Sequence, residues 1–318
     1  MATEASQAAA PLERPASIRV ALAGVSPAAF QHPRDHQALT QLQRIRGFET
    51  FVSRFVSSGV ERMEYTLNTA GSVRIGPGQL PRLYARLAQA CAALGVPEPE
   101  LYVSDGGASS FASGQNRPYI VLMSGLLDLL DDDELLAAVA HDVGHIKAGH
   151  LLYKSMASAV SFFGEIVGDL SLGLSRYLTA PLQAGLLAWD RQSEFTADRA
   201  ALLVTQDSRV CLSWLMKLAA GGSRLTGQLN LDAFIEQVRA YDLDADATIG
   251  DRFYRFAAGM YQYQGSGPFA VLRARALLEW IESGEYHRVL AAAAASTPDS
   301  LPLVEYTGTT ATEITARP

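Results

Sequence analysis

The stretch AHDVGHIKAGH, residues 140–150, places His141 and His145 four positions apart, with an acid directly after the first histidine. On a helix, positions i and i+4 lie on one face, so both imidazoles can point a nitrogen at the same ion. The usual form of this zinc-binding pattern is H-E-x-x-H, and Asp142 stands here in place of the glutamate. A chance H-[DE]-x-x-H is expected in about one chain in a hundred of this length and histidine content. The stretch therefore predicts a metal-binding helix and leaves open whether the site retains its chemistry.

A second acidic motif supplies a third ligand. Catalytic zinc usually takes three protein ligands and leaves one position for water. The segment SEFTADR, on a predicted helix at 186–204, provides Glu194 and Asp198, again four apart. Glu194 completes a two-histidine, one-glutamate set, and Asp198 could accept a histidine ring N–H and fix its tautomer. Alone, this acid pair fits a solvated helix face, but beside the H-D-x-x-H helix it favours a zinc site.

The other histidines are not predicted to bind the metal. His150 lies five positions beyond His145, about 140° further around a continuing helix. It is therefore a poor third ligand and is expected to have a hydrogen-bonding or surface role. Structural or solvent-exposed roles are expected for the remaining three, His32, His36 and His287.

Composition excludes several classes of partner. Hydrophobic residues make up 48% and charged residues 19%, as in ordinary globular proteins. A net charge of −7 without any basic stripe argues against nucleic acid as a partner. Cys91 and Cys211 belong to no C-x-x-C motif, so they are predicted to be buried thiols. The N-terminus lacks the pattern of a signal peptide, and a cytoplasmic location is expected.

The segment 155–189 is the most membrane-like part of the chain. Glu165, Asp169 and Arg176 interrupt it, and its longest uncharged run, Tyr177–Trp189, has 13 residues. A spanning helix needs about 17–25 apolar residues. The segment is therefore predicted to form a buried helical hairpin; reversible contact with a membrane surface, which would make the protein peripheral to the membrane, is the second interpretation.

The predicted fold class is α+β, mostly helical, with a small antiparallel sheet beside the metal-binding helix. Residues 1–16 and 292–318 are rich in Ala, Ser, Thr and Pro and are predicted to be disordered tails, which leaves 17–291 as a single domain. Strands are predicted at 61–68, 101–104 and 119–123. Helices are predicted, besides the histidine helix and 186–204, at 34–57, 79–94, 207–222, 231–241 and 269–283.

These motifs resemble those of the gluzincin peptidases that include the HtpX heat-shock protease and the CaaX prenyl protease, peptidase family M48. The resemblance covers most of residues 18–290, through LYVSDGGASSFASG, then PYIVLMSGLLDLLDDDELLAAVAHDVGHIKAGH, then DRQSEFTADRAALL, and weakly through GPFAVLRARALLEWIESGEY. It implies a gluzincin-like metallopeptidase domain over 17–291. It also implies that His141, His145 and Glu194 bind zinc and that Asp142 occupies the general-base position.

The substrate is implied to be a peptide or unfolded protein. The segment SSFA, which comprises Ser109, Ser110, Phe111 and Ala112, stands where the family often has N-A-F-A, and is expected to bind substrate main chain as an added strand. Three departures from the family pattern stand out: Asp142 for glutamate, the Ser109–Ser110 pair for Asn-Ala, and Gly267 for a histidine thought to assist near the metal.

Two functions follow from this pattern. The first is a zinc metalloendopeptidase in which Asp142 acts as general base, slowed because aspartate reaches about 1.5 Å less far than glutamate. The second is a zinc-binding pseudoprotease that acts as a binding or regulatory module. Neither the natural substrate nor the oligomeric state follows from the sequence.

Overall fold

The computed structural model describes residues 20, 22, 25–165, 180–241 and 269–296. Several of the predicted features lie outside these residues. They are the N-terminal tail 1–16, the segment 166–179 within the predicted apolar hairpin, the final segment 297–318, and Gly267.

The described chain is mostly helical, as predicted. The predicted helices are present, although the segment 34–57 is divided into two helices at Gly47, which has a φ of +93°. The last helix continues to Ser296, so the tail predicted at 292–318 begins inside it. The helices are α1 Pro27–Phe30, α2 Pro33–Gln43, α3 Phe48–Ser57, α4 Val60–Ala70, α5 Pro81–Leu94, α6 Ser124–Leu129, α7 Asp132–Lys147, α8 Leu151–Glu165, α9 Ala180–Thr205, α10 Ser208–Ala220, α11 Leu231–Ala240, α12 Ala270–Glu282 and α13 Glu285–Ser296.

One four-stranded sheet completes the α+β fold. Its strands are β1 Val73–Ile75, β2 Glu100–Ser104, β3 Ser110–Ser113 and β4 Tyr119–Met123, in the order β1-β2-β4-β3. The prediction of an antiparallel sheet was wrong, because β2 and β4 pair in parallel while the outer pairs are antiparallel. The apolar strand YIVLM is almost wholly buried and takes the central place beside β2, which leaves β3 at the edge. Because β4 is antiparallel to β3, the central position of the buried β4 next to β2 makes the β2–β4 pair parallel.

The strand predicted at 61–68 is instead part of helix α4. Four polar contacts at helical spacing hold this helix across the sheet: Glu61 to Asn116, Glu64 to Ser113, Tyr65 to Glu100 and Asn68 to Tyr119. The prediction failed because it rested on β-propensity, whereas this segment packs through polar contacts on one helical face.

Helix α7 lies at the centre of the fold, packed against α9 on one side and α5 on another. Gly144 allows α7 and α9 to approach, since a Cβ atom there would lie 2.5 Å from Cβ of Ala200. A second, smaller apolar cluster joins α2, α3, α8 and the first half of α9 around Phe51, Phe55 and Trp189. The close α7–α9 contact brings the two predicted metal-binding motifs together.

Candidate metal centre

Helix α7 begins at a strong start signal and carries both histidines. The Asp131 carboxylate accepts hydrogen bonds from the backbone N–H groups of Asp133 and Glu134, and the Glu134 side chain accepts from the backbone of Asp131. This capping box fixes the first turn. From there the helix runs through buried apolar residues to His141 and His145.

Three side chains from α7 and α9 form a group that could hold a metal ion. Nε2 of His141 lies 3.3 Å from Nε2 of His145. The Glu194 carboxylate closes the group, with Oε2 at 3.2 Å from the first nitrogen and Oε1 at 3.2 Å from the second. All three residues are buried, and their donor atoms lie within 4.8 Å of one another.

The donor separations fit a small tetrahedral ion. Atoms about 2.0–2.1 Å from a tetrahedral zinc ion lie about 3.3 Å from one another. The two imidazole nitrogens lie 3.3 Å apart, and each lies 3.2 Å from a different oxygen of Glu194. Two imidazole nitrogens and one carboxylate are also a donor set typical of catalytic zinc. The residues present therefore fit such an ion.

Asp198 lies behind His141, where the sequence suggested that it could fix a ring tautomer. Its Oδ1 is 3.0 Å from Nδ1 of His141, which leaves the other ring nitrogen directed at the donor group. Arg273 of α12 donates from Nε to Asp198 Oδ2 at 2.8 Å. Burial opposes ionisation of Asp198, but Arg273 and His141 outweigh it and hold the pKa of the carboxyl below its usual value. This ionised acid orients the histidine.

Sequence reasoning missed Arg273, although a signal was present. Arg273, Leu277 and Trp280 lie at i, i+4 and i+7 on one face of α12, and all three are buried. A charged residue in line with an apolar helix face requires a buried partner of opposite charge. That partner is Asp198, which lies 75 positions away in the sequence.

A second cation, Lys154, was also missed. Its Nζ donates to Glu194 Oε1 at 2.9 Å and to Asp190 Oδ1 at 3.0 Å. The acids at 190, 194 and 198 recur every four residues along α9, which signals a charged face directed at buried cations. The donor group is thus bordered by Lys154 on one side and Arg273 on the other.

Local charges set the ionisation of the donor group. Burial alone would raise the pKa of Glu194, but Lys154 and the two histidines outweigh it and hold that pKa well below the usual value. Burial and Lys154 lower the pKa of His145 well below its usual value. Burial also lowers the pKa of His141, but Glu194 and Asp198 outweigh it and raise it overall. Metal binding at His141 would therefore compete with a proton.

Asp142 is almost fully buried beside the donor group. Burial raises the pKa of its carboxyl to about 6, against the lowering effect of His141 and of a hydrogen bond with Ser110. Its Oδ2 atom has no hydrogen-bond partner among the described residues. One oxygen of the acid is thus available to another group, and no described cation forms an ion pair with Asp142.

The segment Ser109–Ala112 lies at the edge of the sheet beside α7. Ser109 precedes β3, and the other three predicted substrate-binding residues belong to it. Strand β3 pairs with β4 on one side, and no described strand pairs with its other side. An edge strand next to α7 could dock an extended peptide, although its last residue, Ser113, is covered by Ser155 of α8.

His32, His36 and His287 are not part of the donor group, as expected. His32 caps α2 by accepting from the backbone N–H of Arg34 at 3.1 Å, and burial lowers its pKa to about 4. His36 and His287 are exposed. Cys91 and Cys211 are free and buried, which confirms that prediction.

Two histidines one turn apart on α7, with a carboxylate from α9, are a donor set typical of metallopeptidases. The chain belongs to peptidase family M48, since the model of that family matches residues 77–281. The family is metal-dependent, and its members hydrolyse peptide bonds.

Curated relatives agree with this family. The chain is 36% identical over 264 residues to "Plastoglobule-localized metallopeptidase 48, chloroplastic" of Arabidopsis thaliana, which covers 82% of this chain and 74% of that protein. It is 30% identical over 184 residues to "Protease HtpX homolog" of Tropheryma whipplei (strain TW08/27), with 50% of this chain and 63% of the relative covered. The match to that HtpX homolog therefore spans less than two thirds of its length. No solved structure matches the chain significantly.

The comparisons correct the expected location. Contact with a membrane surface stays a prediction. A cytoplasmic location was expected because the two cysteines suit it and the N-terminus lacks a signal-peptide pattern. That expectation was wrong: the plant relative is named for plastoglobules of the chloroplast. The absence of one kind of targeting signal was too weak a basis for a location. Among the described helices, none combines the length and apolar character needed to cross a membrane.

Proposed function

We propose that the protein is a zinc metalloendopeptidase in which His141, His145 and Glu194 hold the ion and Asp142 acts as general base. The observation that carries this proposal is the convergence of three buried side chains: the two histidine Nε2 atoms lie 3.3 Å apart, and each lies 3.2 Å from one oxygen of Glu194. Imidazole and carboxylate donors in a tetrahedral arrangement favour zinc over magnesium or calcium. Zinc at this position would polarise the scissile carbonyl and lower the pKa of a water molecule.

Asp142 has the chemistry expected of the base. A general base works best when its pKa lies near the operating pH, and burial raises that of Asp142 to about 6. The Asp142 carboxylate reaches less far towards the metal, because the side chain is about 1.5 Å shorter than that of glutamate. A misplacement of about 1 Å can cost around a hundredfold in rate. We therefore expect a slow peptidase.

The substrate is a peptide or an unfolded protein. An extended chain would add to the open edge of β3, with Ser109, Ser110, Phe111 and Ala112 as the contacting segment. Main-chain hydrogen bonds to a strand edge bind extended chains with little dependence on sequence. Docking along β3 would carry the peptide past Asp142, since β3 packs against α7 and Ser110 contacts that acid.

A pseudoprotease that binds zinc and peptides without cleaving them is the second candidate. Three sequence departures favour it: the shorter acid Asp142, the serine pair Ser109–Ser110, and Gly267 in place of a histidine. In this form the donor group would have a structural role and β3 would remain a binding edge.

Cleavage of unfolded casein separates the two candidates. The purified protein is stripped with a chelator, reloaded with zinc, and checked for metal content before each assay. Cleavage that is lost on chelation, restored by zinc and absent in His145→Ala supports the peptidase. One zinc per chain without cleavage, together with retention of the casein, supports the pseudoprotease. A protein that takes up no zinc excludes both.

A further inference from the structure

His150 contacts the metal-binding group although it is not part of it. Its Nδ1 lies 3.0 Å from Nδ1 of His145. Helix α7 ends at Lys147, and Gly149, with a φ of +75°, turns the chain so that His150 comes back against His145. The backbone N–H of His150 donates to the His145 carbonyl, which closes this turn. The expectation of a poor ligand assumed that the helix continued, and the turn gives His150 a hydrogen-bonding position instead.

Beyond His150 lies a buried carboxylate from the N-terminal part of the chain. Oδ2 of Asp35, on α2, is 3.2 Å from Nε2 of His150. That nitrogen is buried, and it forms no well-aligned hydrogen bond with any described residue. The acid itself is completely buried. It lies before the stretch 77–281 that matches the family model.

Asp35 is fixed on both of its oxygens. Oδ1 accepts from Nε1 of Trp189 at 2.9 Å, and Oδ2 accepts from Oγ1 of Thr196 at 2.7 Å. Burial opposes ionisation, but His150, Thr196 and Gln31 outweigh it and lower the pKa of Asp35. The carboxylate is thus an acceptor held in one orientation, because donors from α9 meet both oxygens.

With a metal on His145, the protons on the rings of His145 and His150 can be arranged in only one way. If Nε2 of His145 binds a metal, its Nδ1 carries the proton and donates. Nδ1 of His150 must then accept, so the proton of His150 lies on Nε2 and faces Asp35. Ionised Asp35 can only accept, so it is the last acceptor in the series of contacts that begins at the metal-binding nitrogen.

We propose that Asp35 is a positioning residue for the metal centre, which fixes the tautomer of His150 and, through it, that of His145. This inference rests on the proposed function in so far as His145 binds the ion. It gives the two histidine ligands equivalent support, since Asp198 contacts His141 directly and Asp35 reaches His145 through one intervening imidazole. Helix α2 then contributes a positioning residue to the metal centre, although it lies before the residues that match the family model.

Asp35→Asn tests the proposal with little change in volume. An amide can accept on only one side, so the variant cannot accept from Trp189 and also from Thr196 and His150, and the orientation of His150 is no longer fixed. We expect zinc affinity, measured by competition with a chromophoric chelator, to fall about 10–100-fold, the usual loss for groups that orient a metal ligand. Zinc affinity should fall by a similar factor in His150→Phe. The double variant should lose little more affinity than either single variant, because both changes interrupt the same series of contacts.

Glu134→Gln is the matched control. Glu134 is also a buried carboxylate with two side-chain donors, Ser213 and Lys217, and it lies about two helical turns before His141 on α7. Its loss should lower the melting temperature while zinc affinity stays within about twofold of wild type. Unchanged affinity in Asp35→Asn, with the expected loss in His145→Ala, would overturn the inference and leave the proposed function standing. Wild-type protein without zinc affinity would remove the proposed function itself.

A spectrum of the wild-type protein gives a readout that does not depend on any variant folding. Ring ¹⁵N chemical shifts of the zinc-loaded protein distinguish a protonated ring nitrogen from a bare one, and only six histidines contribute. The proposal requires the proton of His150 on Nε2 and that of His145 on Nδ1. A proton found on Nδ1 of His150 would contradict it. In Asp35→Asn, the His150 pattern should change, whereas in Glu134→Gln it should not.

Discussion

The Nζ atom of Lys154 lies 2.9 Å from Oε1 of Glu194, so a buried ammonium group contacts the carboxylate of the metal-binding set. Asp190 shares the same ammonium at 3.0 Å. In the metal-free protein Lys154 therefore compensates the charge of Glu194. A bound dication would take over that compensation and leave Lys154 with Asp190.

Lys154→Met should destabilise the metal-free protein more than the zinc-loaded one. Removing one partner from a buried ion pair costs about 3–5 kcal/mol, because the other charge is left uncompensated. With zinc bound, Glu194 keeps a cation, so the loss should be smaller. Thermal unfolding with and without zinc measures both, and the stabilisation by zinc should be larger in the variant than in wild type.

Lys217→Met is the control for that experiment, since it removes the cation that pairs with Glu134. The two lysines are similarly buried, with 15% of the Lys217 side chain exposed against 14% for Lys154. It should lower stability equally in the two metal states. If Lys154→Met also lost the same stability with and without zinc, the bound metal would not replace Lys154 as the cation beside Glu194.

The donor group should bind close to one zinc per chain. His145→Ala should remove most of the metal, because two protein ligands hold zinc far more weakly than three. Asp198→Ala should weaken affinity by about 10–100-fold, since His141 loses the acceptor that orients it. Elemental analysis and chelator competition measure these quantities. Asp131→Ala, which removes the cap of the same helix at a cost of about 1 kcal/mol, should leave the affinity unchanged. Full metal content in His145→Ala would place the zinc elsewhere.

Substitution at Asp142 separates the position of the base from its chemistry. Asp142→Glu should raise kcat/KM by about a hundredfold, which corresponds to about 2.7 kcal/mol, because the added methylene restores reach. Asp142→Asn should abolish cleavage, because an amide cannot take a proton. Both variants should bind zinc as wild type does, and metal content is measured before rates are compared.

Two results would contradict the reach argument. A zinc-loaded Asp142→Glu variant without any cleavage would favour the pseudoprotease. A variant slower than wild type would show that the site is built around the shorter acid.

Glu64 should make the stability of the protein depend on pH. Burial raises its pKa from 4.5 to about 7, while a hydrogen bond from Ser113 opposes the rise. A pKa raised on folding means that the native state holds the proton more tightly than the unfolded state. Its contribution to stability is therefore full below about pH 4.5 and is lost as pH rises towards 7.

Glu64→Gln should remove this loss, so the variant should be more stable than wild type at pH 8 and close to it at pH 4. Denaturant unfolding across that range is the measurement. Glu61→Gln, one turn earlier on α4, is the control and should shift the pH profile only slightly, because the Glu61 charge is a minor cause of the raised pKa of Glu64. A Glu64→Gln profile that parallels the wild-type profile throughout would contradict the assignment.

Local patterns in the sequence determined the metal-binding motifs. His141 and His145 share a helix face because of the 3.6-residue period, and the same holds for Glu194 and Asp198. Start and stop signals likewise indicated most of the helices, since caps and glycines act within one or two turns. Family membership followed from the same short motifs.

Tertiary packing decided the rest. Arg273 and Asp35 reach the metal centre from helices distant in sequence, and Lys154 reaches it from the helix that follows α7. No local pattern specifies which buried cation meets which acid. The parallel pairing of β2 and β4 depends on which strand is buried in the centre, and the helical state of α4 depends on its polar contacts with the sheet. Pairing of buried charges and strand order are set by long-range contacts, whereas helix faces and caps are set by neighbouring residues.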